Sequence, residues 1–253
     1  VYVASFLAFL AFRPQALAAF RRHRLLWLLA AAAGMTNVGF NWAVTIGDVV
    51  RVVLLFYLMP AWSVLLAWLV LRERPDGTAL LRLLLALAGV ATVLHTPGAG
   101  LPWPRTLADG LALAGGFSFA LTNVLLLRLN TVPAASRVLA MFGGGALLAG
   151  GVATVGLLQA TVPALPPVAV PWVLVAALLS FGFLGSNLAL QYGASRLPAH
   201  TTALVMLSEV VFASLSSVAL GAGELSPRTL AGGALILAAA AWSAWPRRTA
   251  GAE

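Results

Sequence analysis

The feature that constrains this chain most is the spacing of its interruptions. Apolar stretches of about twenty residues recur along it, separated by short connections rich in arginine, proline and glycine. A hydrocarbon layer about 30 Å thick is crossed by ~20 apolar residues in helical form. The runs 25–46, 52–71, 79–95, 107–127, 138–158, 172–193, 201–221 and 229–245 therefore read as eight spanning helices. In lipid, backbone polar groups must be satisfied within the protein, and segments of this length do so as helices rather than as barrel strands. Helix breakers stand where connections are needed: Arg72-Glu73-Arg74-Pro75-Asp76-Gly77, Pro97 to Pro104, Pro163 to Pro171, and Ser226-Pro227. The opening run, Val1 to Phe12, meets Arg13 after twelve residues and has no basic n-region, so it is neither a full span nor a signal peptide. It reads as the tail of a helix that begins before Val1. The expected fold is an all-α polytopic membrane bundle.

Composition excludes several function classes. With 61% hydrophobic and 9% charged residues, against roughly 25% charged in soluble domains, the chain is not a soluble globular protein. Its basic residues are all arginine, which removes Schiff-base chemistry and a P-loop lysine, and with the latter ATP-driven pumping by this chain itself. The absence of cysteine removes disulfides, thiolate metal sites, iron–sulfur clusters and cysteine nucleophiles. The net charge of +8 would point to nucleic acid in a soluble domain, but here the arginines sit at the ends of apolar runs and act as topological anchors, so no nucleic-acid partner is expected. Counting by alternate sides, Arg13, Arg21, Arg22, Arg24, Arg72, Arg74, Arg82, Arg128, Arg137, Arg196, Arg247 and Arg248 fall together, and Arg51, Arg105 and Arg228 fall opposite. This asymmetry places the loop around Arg24 and the C-terminus in the cytoplasm.

The two halves carry a weak internal repeat. Gly39, Asn41, Ala43 and Gly47 correspond to Gly185, Asn187, Ala189 and Gly193 at an offset of 146, and Glu73 and Thr78 correspond to Glu224 and Thr229 at an offset of 151. The first anchor lies in a run leaving the cytoplasm and its partner in a run entering it, so the repeats are inverted. Residues 1–95 form the first half and 96–253 the second. With five spans in the second half, the parent would have ten spans, about nine of them represented here, with the first helix and part of the second lying ahead of Val1.

Two stretches carry a family resemblance. Tyr57-Leu58-Met59-Pro60-Ala61-Trp62 followed by Leu71-Arg72-Glu73-Arg74-Pro75, and Ala203 to Ala213 followed by Gly223-Glu224-Leu225, resemble the paired signatures of EamA-type members of the drug/metabolite transporter superfamily. The resemblance covers essentially the whole chain. It implies a ten-helix inverted-repeat carrier of the inner membrane, often an exporter of amino acids or other small metabolites, without a cofactor. The chain departs from the family pattern in lacking the first helix and in carrying Val210 where the second signature usually has proline.

Polar residues inside the runs supply the candidate site. Asn37, Asn41, Thr45 and Asp48 share one helical face, and Ser180, Asn187 and Gln191 repeat the pattern in the other half. Asn41, Asn187 and Gln191 are candidate solute ligands, the alternative being interhelical hydrogen bonds. Pro60 removes a backbone hydrogen bond in mid-span and should kink its helix, with Tyr57 and Trp62 placed to stack on or hydrogen-bond a solute there. Ser118 and Asn123, with Thr122, are further candidates. Glu209 is a carboxyl near the middle of the run 201–221, aligned within a residue or two of Pro60, and is the candidate coupling group, with protons as its partner. Arg51 is expected to pair with nearby Asp48 or anchor a lipid headgroup. The clusters Gly115-Gly116, Gly143-Gly144-Gly145, Gly150-Gly151 and Gly232-Gly233 read as close-packing surfaces. His23, His95 and His200 are too scattered for a metal site.

These features favour a secondary carrier of a small-molecule solute working by alternating access. An intramembrane enzyme would need clustered acids and bases near one interface, which three scattered histidines and few intraspan acids do not supply. A scaffold subunit without transport is the third reading. The topology carries its own prediction: reporters fused after Arg24 and at the C-terminus report the cytoplasm, and one near Gly100 reports the outside. Alkaline-phosphatase activity from the C-terminal fusion would overturn the assignment.

Overall fold

The computed structural model describes residues 2–93, 104–159, 169–219 and 227–244. Val1, His95, Glu224, Ser226, Arg247 and Arg248 lie outside the described residues, as do most of the proline-rich connections at 97–104 and 163–171. The side chains of His200, Val210, Ser216 and Thr229 lie outside them as well. All the described regular structure is helical. In chain order the helices are α1 (Tyr2–Phe12), α2 (Ala18–Arg22), α3 (Leu25–Ile46), α4 (Val49–Phe56), α5 (Met59–Leu66), α6 (Gly77–Val93) and α7 (Leu107–Arg128). They continue with α8 (Ala134–Leu158), α9 (Val170–Ala194), α10 (Ala199–Met206), α11 (Ser208–Ala219) and α12 (Pro227–Ala244). A short 3-10 turn, Pro14–Leu17, joins α1 to α2, and a π-helical turn, Ala67–Leu71, extends α5.

Each of the eight apolar runs is helical over its described part, and two of them are split, as α4/α5 and α10/α11. Among the described residues, four stretches are long and apolar enough to cross a membrane: Arg51–Leu71, Leu107–Arg128, Ala134–Leu158 and Val170–Ala194. Gly77–Thr92 and Leu230–Trp242 are shorter apolar helices. The chain is a polytopic helical bundle.

Local chemistry sets the helix ends. Asp48 is the N-cap of α4 and accepts a hydrogen bond from the Arg51 backbone N–H at 2.8 Å. Thr106 caps α7 in a reciprocal box with Asp109. Proline occupies the first turn of α5 and of α9, where a missing N–H leaves no extra donor gap. The π-helical turn stops at Arg72, whose φ of 59° places it in the left-handed region and turns the chain out of the helix.

Packing interleaves helices from either side of the connection at 94–103. α3 runs along both α7 and α8, and α6 runs along α12. These contacts depend on missing side chains: a Cβ on Gly144 would strike the backbone of Ala30, and one on Gly34 would strike the backbone carbonyl of Gly144. α3 and α8 thus touch main chain to main chain, the membrane analogue of a small-residue seam. On its other side α3 brings Gly39 against Leu111 and Gly115 of α7. In contrast, α9 is exposed along most of its length, with Val170, Leu178 and Phe181 turned outward, a surface suited to acyl chains.

One expectation is corrected. Gly143-Gly144-Gly145, Gly115-Gly116 and Gly232-Gly233 all include a position at a close approach, but among the described residues nothing lies within 4 Å of a Cβ on Gly150 or Gly151, so no described helix packs closely on them. Glycine stands at both places; what differs is whether a described helix lies against it. Gly144→Ala is therefore expected to lower the detergent melting temperature and broaden the size-exclusion peak, since overpacking a tight contact costs ~1–3 kcal/mol or more. Gly150→Ala should be neutral or stabilising, because in open space only helix propensity, about 0.5–1 kcal/mol, is at stake.

Candidate functional site

The site is built around the two interrupted spans. In the first, regular helix stops after Phe56 and resumes at Met59, with Tyr57 and Leu58 between. Pro60 has no N–H to give the Phe56 carbonyl four residues earlier, so that oxygen is released from the helical ladder. It faces α7, where a Cβ on Gly116 would come within 2.5 Å of the Phe56 oxygen. Glycine there lets the α7 backbone close over the break. In the second span α10 and α11 are interrupted at Leu207, whose N–H is shared between the carbonyls of Ala203 at 3.3 Å and Leu204 at 3.2 Å. No proline is involved; Val210 stands in the first turn of the resumed helix.

The two breaks face each other. Tyr57, 9% exposed, is buried in a cluster with Met59, Leu204, Leu207, Ala86 and Ile236. Glu209 lies two residues beyond the second break, in the first turn of α11, and is within electrostatic reach of Tyr57. The carboxyl is exposed, and so are Val205 and Phe212 on its face.

Other candidates divide into three places. Trp62, Ser118 and Asn123 lie where α5 meets α7. The Trp62 ring makes an edge contact with Phe117 at 5.7 Å, and its indole N–H, buried, has no hydrogen-bond partner. Asn123 is fully buried, and neither atom of its amide has a partner. Ser118, also buried, offers its backbone carbonyl to the Thr122 hydroxyl at 2.9 Å. Asn187 and Gln191 form a second group on α9: the Gln191 amide donates to Asn187 Oδ1 at 2.9 Å, and Asn187 Nδ2 approaches Met141 Sδ of α8 at 3.9 Å. Gln191 Oε1 is buried without a partner. Asn41 stands apart on α3, exposed, its amide donating to the Asn37 carbonyl at 2.8 Å. Thr45 likewise returns its hydroxyl to its own helix, at the Trp42 carbonyl.

Reasoning from sequence missed two features. Ser63 of α5 and Thr202 of α10 are buried, with hydroxyls that have no partner. In addition, Arg51 does not pair with Asp48, which is spent capping α4. Its guanidinium forks onto Asp109 of α7, with Nε to Oδ1 at 2.7 Å and Nη2 to Oδ2 at 3.1 Å. Asp109 is 1% exposed and also accepts the backbone N–H groups of Arg105 and Thr106. The Thr106-x-x-Asp109 spacing was a legible helix-start signal, but only the tertiary fold shows that its carboxylate also receives Arg51. Among the described residues no three or more of His, Asp and Glu stand together.

Residues 1–95 match the EamA-like transporter family. A solved crystal structure superposes with a TM-score of 0.70 over 96% of this chain and 86% of that chain, at 19% identity, a likeness of fold. No curated protein matches the chain.

The Arg51–Asp109 pair joins α4 to α7 at the sparsely charged end. Removing either member leaves the other without its charged partner, at a cost tempered by solvent because Arg51 is 32% exposed. Asp109→Ala should destabilise more than Arg51→Ala, since the aspartate also caps α7 and binds two backbone amides. Thermal unfolding in detergent ranks the two; equal shifts would remove the capping contribution.

Proposed function

We propose that the chain works as a secondary carrier for small metabolites such as amino acids, exporting them across the inner membrane with its C-terminus in the cytoplasm. The observation that carries the reading is the pair of mid-span breaks with Tyr57 and Glu209 beside them. An interrupted helix presents backbone carbonyls and amides at membrane depth, where a polar solute can use them, and such breaks are the usual location of carrier binding sites. The match of residues 1–95 to a family of transporters supports the same reading.

In this mechanism the solute enters between the breaks at Tyr57–Leu58 and Leu207. Tyr57 and Trp62 contribute aromatic faces and a donor each, and Asn123 contributes an amide. Glu209 binds or releases a proton as its surroundings change from open to enclosed, because a carboxylate is disfavoured when water leaves. A proton moving with or against the solute would then drive accumulation. Asn41, Asn187 and Gln191 belong to the wider polar lining of α3 and α9.

Radiolabelled-solute flux in proteoliposomes tests the function, run across a panel of amino acids and related metabolites with outward and inward gradients. Flux indistinguishable from empty vesicles across the panel would remove the carrier reading. Glu209→Gln keeps shape and hydrogen-bonding capacity but cannot titrate. The expected result is normal expression with loss of pH-dependent flux, and an unchanged pH profile would remove Glu209 from coupling.

A further inference from the structure

The two interrupted spans should make equivalent contacts if the repeat were obeyed throughout. Inversion pairs α4 with α10 and α5 with α11, so a contact between α5 and α10 at one end implies one between α4 and α11 at the other. The structure is lopsided. α5 packs against α10, and both pack against α7, whereas α4 and α11 make no comparable contact among the described residues. The packed end is the arginine-rich one: Arg128 donates to the Val70 carbonyl at 2.7 Å there, and Arg137 reaches the Leu126 carbonyl at 3.4 Å.

Burial at the packed end is unusual. Leu66 and Ala67, Ala120 and Val124, and Ala199 form a small dry cluster where α5, α7 and α10 meet. Within one helical turn of it, one polar side chain from each helix is buried without a partner: Ser63 at 0% exposure, Asn123 at 0% and Thr202 at 4%. A serine or threonine in a helix normally returns its hydroxyl to a carbonyl one turn back, as Thr36, Thr92, Thr122 and Thr154 all do here. Ser63 and Thr202 do not. Leaving buried polar groups unmade is unfavourable in any single-state design, and three such groups on three helices at one seam have a common explanation if the seam is wet in a second state.

We infer that Ser63, Asn123 and Thr202 line the closed half of a polar passage, and that the α5–α7–α10 seam is the part that separates when the passage opens at the arginine-rich end. The structure is then the state sealed at that end. When the seam opens, the two hydroxyls and the amide receive water or the neutral polar groups of a passing solute, and on closing they give these partners up. The inference rests on the carrier reading but specifies what that reading leaves open: which contact is the seal.

The absence of cysteine in the chain provides a clean background for the test. Ser63→Cys, Asn123→Cys and Thr202→Cys are introduced singly and treated, in oriented vesicles, with a membrane-impermeant methanethiosulfonate from the arginine-rich face. Ala140→Cys is the control, buried at 1% exposure in α8 away from both the seam and the breaks. Each seam thiol is expected to react at least about tenfold faster than the control, as local opening permits. Flux with all three as protected as Ala140→Cys would overturn the seal and leave the carrier reading intact. Rapid labelling with no flux for any solute would keep the passage and remove the carrier; protection with no flux would remove both. Ser63→Ala and Thr202→Val supply a second measurement in variants that keep the fold. Each should raise the melting temperature by about 2–4 °C, because an unpartnered hydroxyl is gone, and should slow flux, because the sealed state is favoured. A higher melting temperature with unchanged flux would overturn the inference.

Discussion

A helix that stops in the middle of a hydrocarbon layer leaves carbonyls and amides that lipid cannot satisfy, and this constraint organises the rest of the molecule. The break after Phe56 is tolerable only because α7 approaches closely enough to shield it, and α7 can do so only because position 116 is glycine. α7 is in turn fixed at its start by the capping box and by the Arg51 guanidinium, which comes from the same span that is broken. The interruption and the helix covering it are thus tied together at the sparsely charged end and stacked against each other at mid-depth. A similar logic surrounds Leu207, which is buried in the cluster that contains Tyr57.

Helix association in such a bundle cannot draw on the hydrophobic effect, because acyl chains are as apolar as leucine. The seams used here are geometric: Gly34 and Gly144 between α3 and α8, Gly39 and Gly115 between α3 and α7, Gly89 and Gly232 between α6 and α12. Polar contacts supplement them at the ends, where water and headgroups allow charge. Arg82, buried at the start of α6, bonds the Thr78 carbonyl and lies over the Trp242 ring of α12. Rigid seams built of backbone contacts coexist with a seam of small apolar side chains and unpartnered polar groups at α5, α7 and α10, and the contrast separates what holds the bundle from what can part.

The helices were legible in the sequence because hydropathy over twenty residues is a local property, and all eight runs are helical over their described parts. Pro60 announced the first break for the same reason: a missing N–H acts on its own turn. The break at Leu207 had no such announcement, as Val210 is compatible with an unbroken helix and only the packing around Tyr57 reveals the interruption. Arg51 illustrates the limit of reasoning by proximity. Asp48 is three residues away and Asp109 is fifty-eight, yet the near one was committed to a helix end and the far one was delivered by the fold. Nothing local marks Ser63 and Thr202 as unpartnered, since hydroxyls in helices usually answer to their own backbone. The solute-facing candidates Asn41, Asn187 and Trp62 do not gather at one point, since a shared face on each helix does not set how those helices are turned against one another.

The contact between α3 and α8 has a consequence for how this sequence can change over time. When two side chains interlock, a larger residue on one helix can be matched by a smaller one on the other, and the pair can drift together. Gly144 meets the main chain of Ala30, and Gly34 meets the main chain of Gly144. Every amino acid carries that main chain, so no replacement at position 30 makes room for a side chain at position 144. Position 144 of this chain is therefore one that compensatory substitution at the facing residue cannot release.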